Sequence, residues 1–135
     1  MALLNFYGAI QQVTGSCYLI ESRDGSRVLL ECGMRQGRRD AEEGNHAPFP
    51  FDPNSLNAVV ISHAHLDHSG LLPRLAAAGY RGPIFATVAT CELLELMLLD
   101  SAHIQEHDAE WENKWRLRQG NPATAAIYTT AETEQ

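Results

Sequence analysis

The sequence predicts an α/β (α+β) fold that consists mostly of one mixed or antiparallel sheet with helices on one of its faces. Three observations predict it: short strand patterns with turn signals in the first third, an unbroken apolar run at residues 58–61, and helical patterns after that run. The chain has 135 residues, of which 44% are hydrophobic and 20% charged. This composition is typical of a globular domain, and it argues against intrinsic disorder.

The first third of the chain predicts three strands. Residues 3–10 and 17–21 have strand patterns, and an Asp-Gly turn signal at Asp24 precedes a third strand over residues 27–31. The last two strands therefore form a predicted hairpin. Residues 33–53 form a long loop rich in Gly, Pro, Asn and charge, and loops of this length are often functional.

The middle of the chain predicts a strand, a polar loop and a helix in succession. Residues 58–62 are a buried strand by their apolar character. We expect a helix to begin near Ser69, to carry Pro73 in its first turns and to end at Gly79.

The last third predicts a short strand over residues 83–87 and a long helix over residues 91–118, with Thr90 as its N-cap. Helical spacing of apolar residues indicates that the first half of this helix packs, whereas its second half is charged. Residues 120–122 end the helix, and residues 123–135 are expected to be a loosely ordered tail.

The histidine-rich motif directly after the apolar strand is the main functional signal. It places four metal-competent side chains within six residues: His63, His65, Asp67 and His68. His63 and His65 are two apart at the end of an extended segment, so they can point to the same side and bind one ion, while Asp67 and His68 face a second one. Imidazole and carboxylate are ligands that suit zinc.

The motif and its neighbours resemble a known family. Residues 63–75 resemble the signature of metallo-β-lactamase-fold hydrolases, and further segments resemble the β-CASP branch, whose members are RNA-processing nucleases. Those segments are residues 8–9, 13–17, 29–34, 51–53 and 80–84, and the likeness extends from about residue 4 to about residue 108.

The resemblance implies a fold, a cofactor and a substrate. It implies that residues 1–122 are the N-terminal portion of a metallo-β-lactamase αββα sandwich, ending before the inserted β-CASP domain. It implies two zinc ions, the first held by His63 and His65 and the second by Asp67 and His68, with Asp67 as the catalytic residue of the set. The remaining ligands of the family come from segments that follow these. RNA is then the substrate of the complete enzyme.

Glu31 departs from the family pattern, which usually has aspartate at the end of the hairpin. By resemblance, its carboxylate accepts a hydrogen bond that orients the ligand loop. Glutamate keeps the charge and adds a methylene group. It is therefore either a tolerated conservative change or a change in the hydrogen-bond geometry of the metal loop.

The net charge and the cysteines bear on which partners the chain binds and in which compartment it lies. A net charge of −7 argues against a free-standing nucleic-acid binder, and the basic clusters, Arg35 with Arg38 and Arg39, and Lys114 with Arg116 and Arg118, are interpreted as solvated charge. Three widely spaced cysteines indicate a reducing compartment. No segment approaches the ~20 apolar residues that span a bilayer, so we expect no membrane association and a cytoplasmic location.

The other histidines and the tryptophans have simpler interpretations. His103 and His107 share a helix face, but their charged neighbours indicate solvent exposure, and His46 is not expected to be a ligand. Trp111 and Trp115 could stack on bases, although hydrophobic packing against a further domain is the favoured interpretation.

Three functions remain open from the sequence. The leading hypothesis is the N-terminal segment of a zinc-dependent RNA nuclease, inactive alone and able to self-associate through its exposed truncated face. The second is a hydrolase of a thioester or lactam on the same metal motif, because chemistry belongs to the site and not to the fold. The third is a catalytically silent remnant that binds metal weakly or only associates with a partner.

Overall fold

The computed structural model describes residues 1–37 and 42–134, and within them five strands form one sheet. The strands lie side by side in chain order: β1 (Leu3–Phe6), β2 (Cys17–Glu21), β3 (Arg27–Cys32), β4 (Ala58–Val60) and β5 (Ile84–Phe85). The first three are antiparallel, whereas β3 with β4 and β4 with β5 are parallel. The predicted mixed sheet is therefore confirmed.

Four α-helices and two short 3₁₀ turns complete the described fold. The helices are α1 (Leu66–Ser69), α2 (Leu72–Ala77), α3 (Val88–Arg118) and α4 (Thr130–Thr133), and the 3₁₀ turns are Gly44–His46 and Pro53–Ser55. Within this part of the chain no helix is both long and apolar enough to cross a membrane.

One face of the sheet carries the hydrophobic core. Leu19, Leu29 and Val59 are 0% exposed and occupy neighbouring positions on β2, β3 and β4. They belong to one cluster with Leu75 of α2 and Leu94 of α3. The helices therefore pack on this face, as the sequence predicts.

The opposite face of the sheet is apolar and uncovered. The strand register places eight large apolar or aromatic side chains on it, each half-buried or exposed: Leu4, Phe6, Tyr18, Ile20, Val28, Leu30, Val60 and Phe85. Within the five described strands, no charged residue alternates onto this face. Apolar surfaces of this extent are uncommon on proteins that act as single chains.

Two helix starts differ from the sequence prediction. The helix expected near Ser69 begins at Leu66 and is interrupted at Gly70 and Leu71, so that two short helices replace one. The long helix begins at Val88, because the Thr87 side chain, rather than that of Thr90, accepts the N-terminal hydrogen bond from the Thr90 N–H. Side-chain capping fixed a boundary that apolar spacing alone could not locate.

The C-terminal segment differs from the expected loose tail, because residues 124–133 lie along α3. Tyr128 is 1% exposed and donates a hydrogen bond to Ser101 Oγ at 2.9 Å. Thr124 exchanges two hydrogen bonds with the Asn113 side chain, and Thr129 forms a capping box with Glu132. One buried ring and local caps order a segment whose polar, aperiodic composition gave no periodic signal.

Candidate metal centre

The histidine motif lies at the carboxyl end of β4, where the chain turns into α1. Ser69 is 0% exposed and its hydroxyl contacts the carbonyl oxygens of Ala64 and His65 at 3.1 and 3.0 Å, closing the loop. Ala64 is buried in the core between two histidines that are half-buried and exposed. The buried Ala64 side chain therefore anchors the loop to the core, and the imidazoles of His63 and His65 lie on the solvent side of the loop.

The imidazole of His63 contacts the other two imidazoles of the motif. The ring of His63 lies 4.7 Å from that of His65 and 4.2 Å from that of His68, measured between centroids. Asp67 Oδ2 lies 3.5 Å from His68 Nε2, and Ser62 Oγ lies 2.8 Å from His63 Nδ1. The structure thus brings together all four side chains that the sequence singled out.

Glu31 reaches this loop from the neighbouring strand. The residue sits at an irregularity of the β2–β3 register with a φ of 63°, a left-handed conformation that is uncommon for a residue other than glycine. Its carboxylate accepts the Ser62 N–H at 3.0 Å through one oxygen, and its other oxygen lies 3.4 Å from His68 Nδ1. A bulge therefore aims a buried carboxylate at the metal motif.

Backbone contacts fix the other side of the loop. The Ser16 N–H donates to the Asp67 carbonyl oxygen at 2.9 Å, the Met34 N–H donates to the Leu66 carbonyl oxygen at 2.8 Å, and the Gly33 N–H donates to the Ser16 carbonyl oxygen at 2.8 Å. A Cβ atom on Gly33 would lie 1.8 Å from the Asp67 carbonyl oxygen. Only glycine permits this approach.

The side chains of the motif are of the types that bind a divalent metal, but too few of them surround any one point. Among residues 1–37 and 42–134, the buried atoms Glu31 Oε2 and His68 Nδ1 have no hydrogen-bond partner, so the cluster retains unsatisfied polar groups. Imidazole nitrogens and carboxylate oxygens are zinc ligands, and a catalytic zinc takes three from the protein. Among residues 1–37 and 42–134, no three His, Cys, Asp or Glu side chains are arranged about one point for an ion.

Several contacts of the site follow from no spacing pattern, although their residues lie in segments that resemble the family. Ser16, Gly33 and Ser69 hold the loop through backbone atoms or a hydroxyl, which no spacing pattern reveals. Arg74 of α2 donates to the carbonyl oxygens of residues 45–47 and so ties the 3₁₀ turn to the helix layer. The role of Ser69 could be inferred from the sequence only by reasoning that some polar side chain must bind the carbonyl groups of the loop.

The remaining candidate residues lie apart from the motif. His103 and His107 are exposed on α3, and His46 lies in the turn held by Arg74. In the predicted basic loop, Arg35 is described, whereas Arg38 and Arg39 lie outside the described residues. None of the three histidines is in ring contact with the motif within the described chain.

Comparison with known proteins gives relatives that act on RNA or in transcription. Over 100 residues the chain is 51% identical to ribonuclease TTHA0252 of Thermus thermophilus, covering 74% of this chain and 22% of the relative. Transcription termination factor FttA of Methanothermobacter thermautotrophicus is 40% identical over 81% of this chain and 17% of its own length. The probable RNase MJ4 of Methanocaldococcus jannaschii is 38% identical, covering 81% and 23%.

The chain spans about a fifth of the length of these curated relatives. The family model described as the metallo-beta-lactamase superfamily matches residues 10–85, which include Glu31 and the complete histidine motif. These relatives confirm the resemblance to RNA-processing members. The chain belongs to the metallo-beta-lactamase superfamily.

Proposed function

We propose that this chain is a segment of a zinc-dependent ribonuclease, contributing His63, His65, Asp67 and His68 as metal ligands. The observation that carries the proposal is the contact of the His63 imidazole with the other two, with ring centroids 4.2 and 4.7 Å apart, and the adjacent Asp67 carboxylate. Relatives named as ribonucleases support RNA as the substrate.

The proposed ligands divide into two pairs. His63 and His65 would hold one zinc ion, and Asp67 and His68 the other, with Asp67 also the catalytic residue. When bound, the two ions would lower the pKa of a water molecule and polarise the scissile phosphodiester. The chain's own contribution is to position these ligands, since Glu31 holds the Ser62 N–H and faces His68.

The segment alone would supply at most two ligands to each ion. We therefore propose that residues 1–122 form the N-terminal portion of the catalytic domain and are inactive without the rest of it. Relatives of which the matched residues cover only 22% and 17% support this division. A cytoplasmic location fits the reduced cysteines, since Cys17, Cys32 and Cys91 are all free thiols.

Self-association through the uncovered sheet face is a further part of the proposal. The eight apolar side chains of that face are accompanied by no charged residue of the described strands, so no like charges would oppose a second copy. Sheets with apolar faces pack about 10 Å apart with interdigitated side chains. Sedimentation should then show a dimer that Ile20→Asp or Leu30→Asp disrupts.

Calorimetric titration with zinc tests the metal site. The unaltered chain should bind zinc with modest affinity, and the His63→Ala/His65→Ala variant should lose most of that binding. The matched control is His103→Ala/His107→Ala, which removes two exposed histidines from α3 and should bind as the unaltered chain does. Equal binding by the motif variant and the unaltered chain would place zinc elsewhere and overturn the assignment.

A further inference from the structure

A row of side chains follows the solvent side of the second half of α3. We call it the tryptophan stripe, and it consists of Ile104, His107, Trp111, Trp115 and Arg118. These residues are three or four apart and so share one helix face. Trp111 is 61% exposed and Trp115 is 53% exposed, which is unusual for the largest aromatic side chain.

The opposite side of the same helix segment is held in place. Asn113 makes two hydrogen bonds with Thr124, at 2.7 and 2.8 Å, and Arg116 Nε donates to the Pro122 carbonyl oxygen at 2.8 Å. These hydrogen bonds occupy the polar side chains on the inward face of the last helical turns. The two tryptophans are thus presented outward on a braced helix and not folded into the described part of the chain.

The charge around Trp115 is locally basic in an acidic protein. Arg116 pairs with Glu112 at 3.3 Å, whereas Lys114 and Arg118 form no ion pair within residues 1–37 and 42–134. Arg118 Cζ lies 5.9 Å from the centre of the Trp115 ring. Two rings and two cations therefore share one exposed surface, although the chain as a whole carries a net charge of −7.

We propose that the tryptophan stripe binds single-stranded RNA by stacking successive bases on Trp111 and Trp115. Residues four apart in a helix are separated by about 6 Å along its axis, which suits neighbouring bases of an extended strand. Lys114 and Arg118 would neutralise the flanking phosphates, and stacking of this kind tolerates any base sequence. The choice of RNA rests on the proposed ribonuclease function.

Acidic residues limit the surface at its upstream end. Asp108 and Glu110 flank the stripe before Trp111 and would repel further phosphates. The site is therefore confined to the last two turns of α3 and takes about two nucleotides. A protein partner is the competing occupant of such an apolar surface, and the experiment separates the two.

Intrinsic fluorescence gives a direct test, because Trp111 and Trp115 are the two tryptophans of the 135-residue chain. The chain is titrated at low salt, with chelator present, against a short single-stranded oligouridylate. We expect saturable quenching of tryptophan emission. Unchanged emission, or quenching that depends on protein concentration without RNA, would overturn the proposal, and the second result would identify a protein interface.

Variants locate the binding. Anisotropy of labelled oligouridylate should show affinity reduced about 5- to 150-fold by Trp111→Ala or Trp115→Ala, with partial recovery in Trp115→Phe. The matched control Leu93→Ala/Leu96→Ala removes two exposed residues from the first half of α3 and should bind normally. Tryptophan variants that bind as tightly as the unaltered chain would refute stacking.

Two further variants separate this inference from the metal proposal. Lys114→Gln/Arg118→Gln should lower the slope of log affinity against log salt by about 1.4, at ~0.7 per phosphate contact. The His63→Ala/His65→Ala variant should lose zinc and retain the fluorescence quenching. Failure of the zinc titration would therefore leave this result intact, whereas an unchanged salt slope would contradict the assigned phosphate contacts.

Discussion

Glu31 Oε2 and His68 Nδ1 lie 3.4 Å apart, and both atoms are buried without a hydrogen-bond partner in the described part of the chain. The other carboxylate oxygen of Glu31 accepts the Ser62 N–H at 3.0 Å. One side chain therefore contacts both ends of the histidine motif. The family usually has aspartate at this position, and in this chain the longer Glu31 side chain extends from the bulge in β3.

Replacing Glu31 should weaken the proposed metal site before it unfolds the chain. Glu31→Gln retains the shape but loses the negative charge facing His68, and we expect zinc affinity to fall about 10- to 100-fold. The measurement is calorimetric titration at constant pH. Glu21→Gln, which removes an acidic residue paired with Arg27 at the surface, is the control and should leave zinc binding unchanged.

Adding one methyl group at Gly33 should displace the motif. Its Cβ would lie 1.8 Å from the Asp67 carbonyl oxygen and 2.8 Å from the Ser16 nitrogen, so Gly33→Ala cannot be accommodated without moving α1. We expect a loss of at least about 1–3 kcal/mol in the free energy of unfolding by urea. Gly44→Ala meets only the flexible end of Arg35 and should cost much less.

The sequence predicted the elements whose signals are local. The apolar strand before His63, the hairpin turn at Asp24 and the four clustered motif residues follow from periodicity and residue chemistry. The residues that contact these elements in the folded chain could not be predicted from local sequence patterns. Glu31 approaches His68 only because β3 pairs with β4 in parallel and a bulge turns its side chain, and neither register nor bulge has a sequence pattern here.

The C-terminal segment was missed for a related reason. Its order depends on one aromatic ring, Tyr128, entering a small cluster with Met34 and Ala102. A single buried residue produces no periodicity. Helix amphipathicity likewise could not show that the second half of α3 carries exposed tryptophans on one side and polar anchors such as Asn113 on the other.

Tyr128 should hold residues 124–133 against α3. Tyr128→Ala removes a buried ring and should cost about 3–5 kcal/mol, whereas Tyr128→Phe loses only the hydrogen bond to Ser101 and should cost about 1 kcal/mol. Urea denaturation of the single variants and of Tyr128→Phe/Ser101→Ala gives a double-mutant cycle. Additive losses in that cycle would show that the two hydroxyls do not interact.

The three thiols should differ sharply in reactivity. Burial raises the pKa of Cys17 from 9.0 to about 12 and raises that of Cys32 as well, while Cys91 is exposed. We expect one thiol to react rapidly with a disulfide reagent at pH 8 in the native chain, and three in denaturant. Rapid reaction of two or three native thiols would contradict the described burial.

The same thiols predict a loss of stability in alkaline solution. A group whose pKa is raised by folding contributes stability that is present below its unfolded pKa and lost as the pH rises through its folded value. For Cys17 this interval runs from about 9 to about 12. The urea concentration at the midpoint of unfolding should therefore decrease as the pH is raised from 8 to 10.5. The decrease should be smaller in Cys17→Ala/Cys32→Ala, and it should be the same as in the unaltered chain in Cys91→Ala.

The 135-residue chain should show little or no ribonuclease activity on its own. Its described residues place no three metal-binding side chains about one point, and the chain spans about a fifth of the length of its ribonuclease relative. Incomplete positioning of nucleophile and phosphate forfeits much of the ~7–11 kcal/mol that orientation can contribute to a barrier.

The corresponding assay uses labelled single-stranded RNA with added zinc, and Asp67→Ala serves as the control for a contaminating nuclease. We expect equal background cleavage by the two proteins. Robust cleavage by the unaltered chain that disappears in Asp67→Ala would show that the segment completes a working site, and the uncovered sheet face makes self-association the route to examine. Adding Ile20→Asp, which places a charge on that face, should then abolish the activity while His63 and Asp67 remain in place.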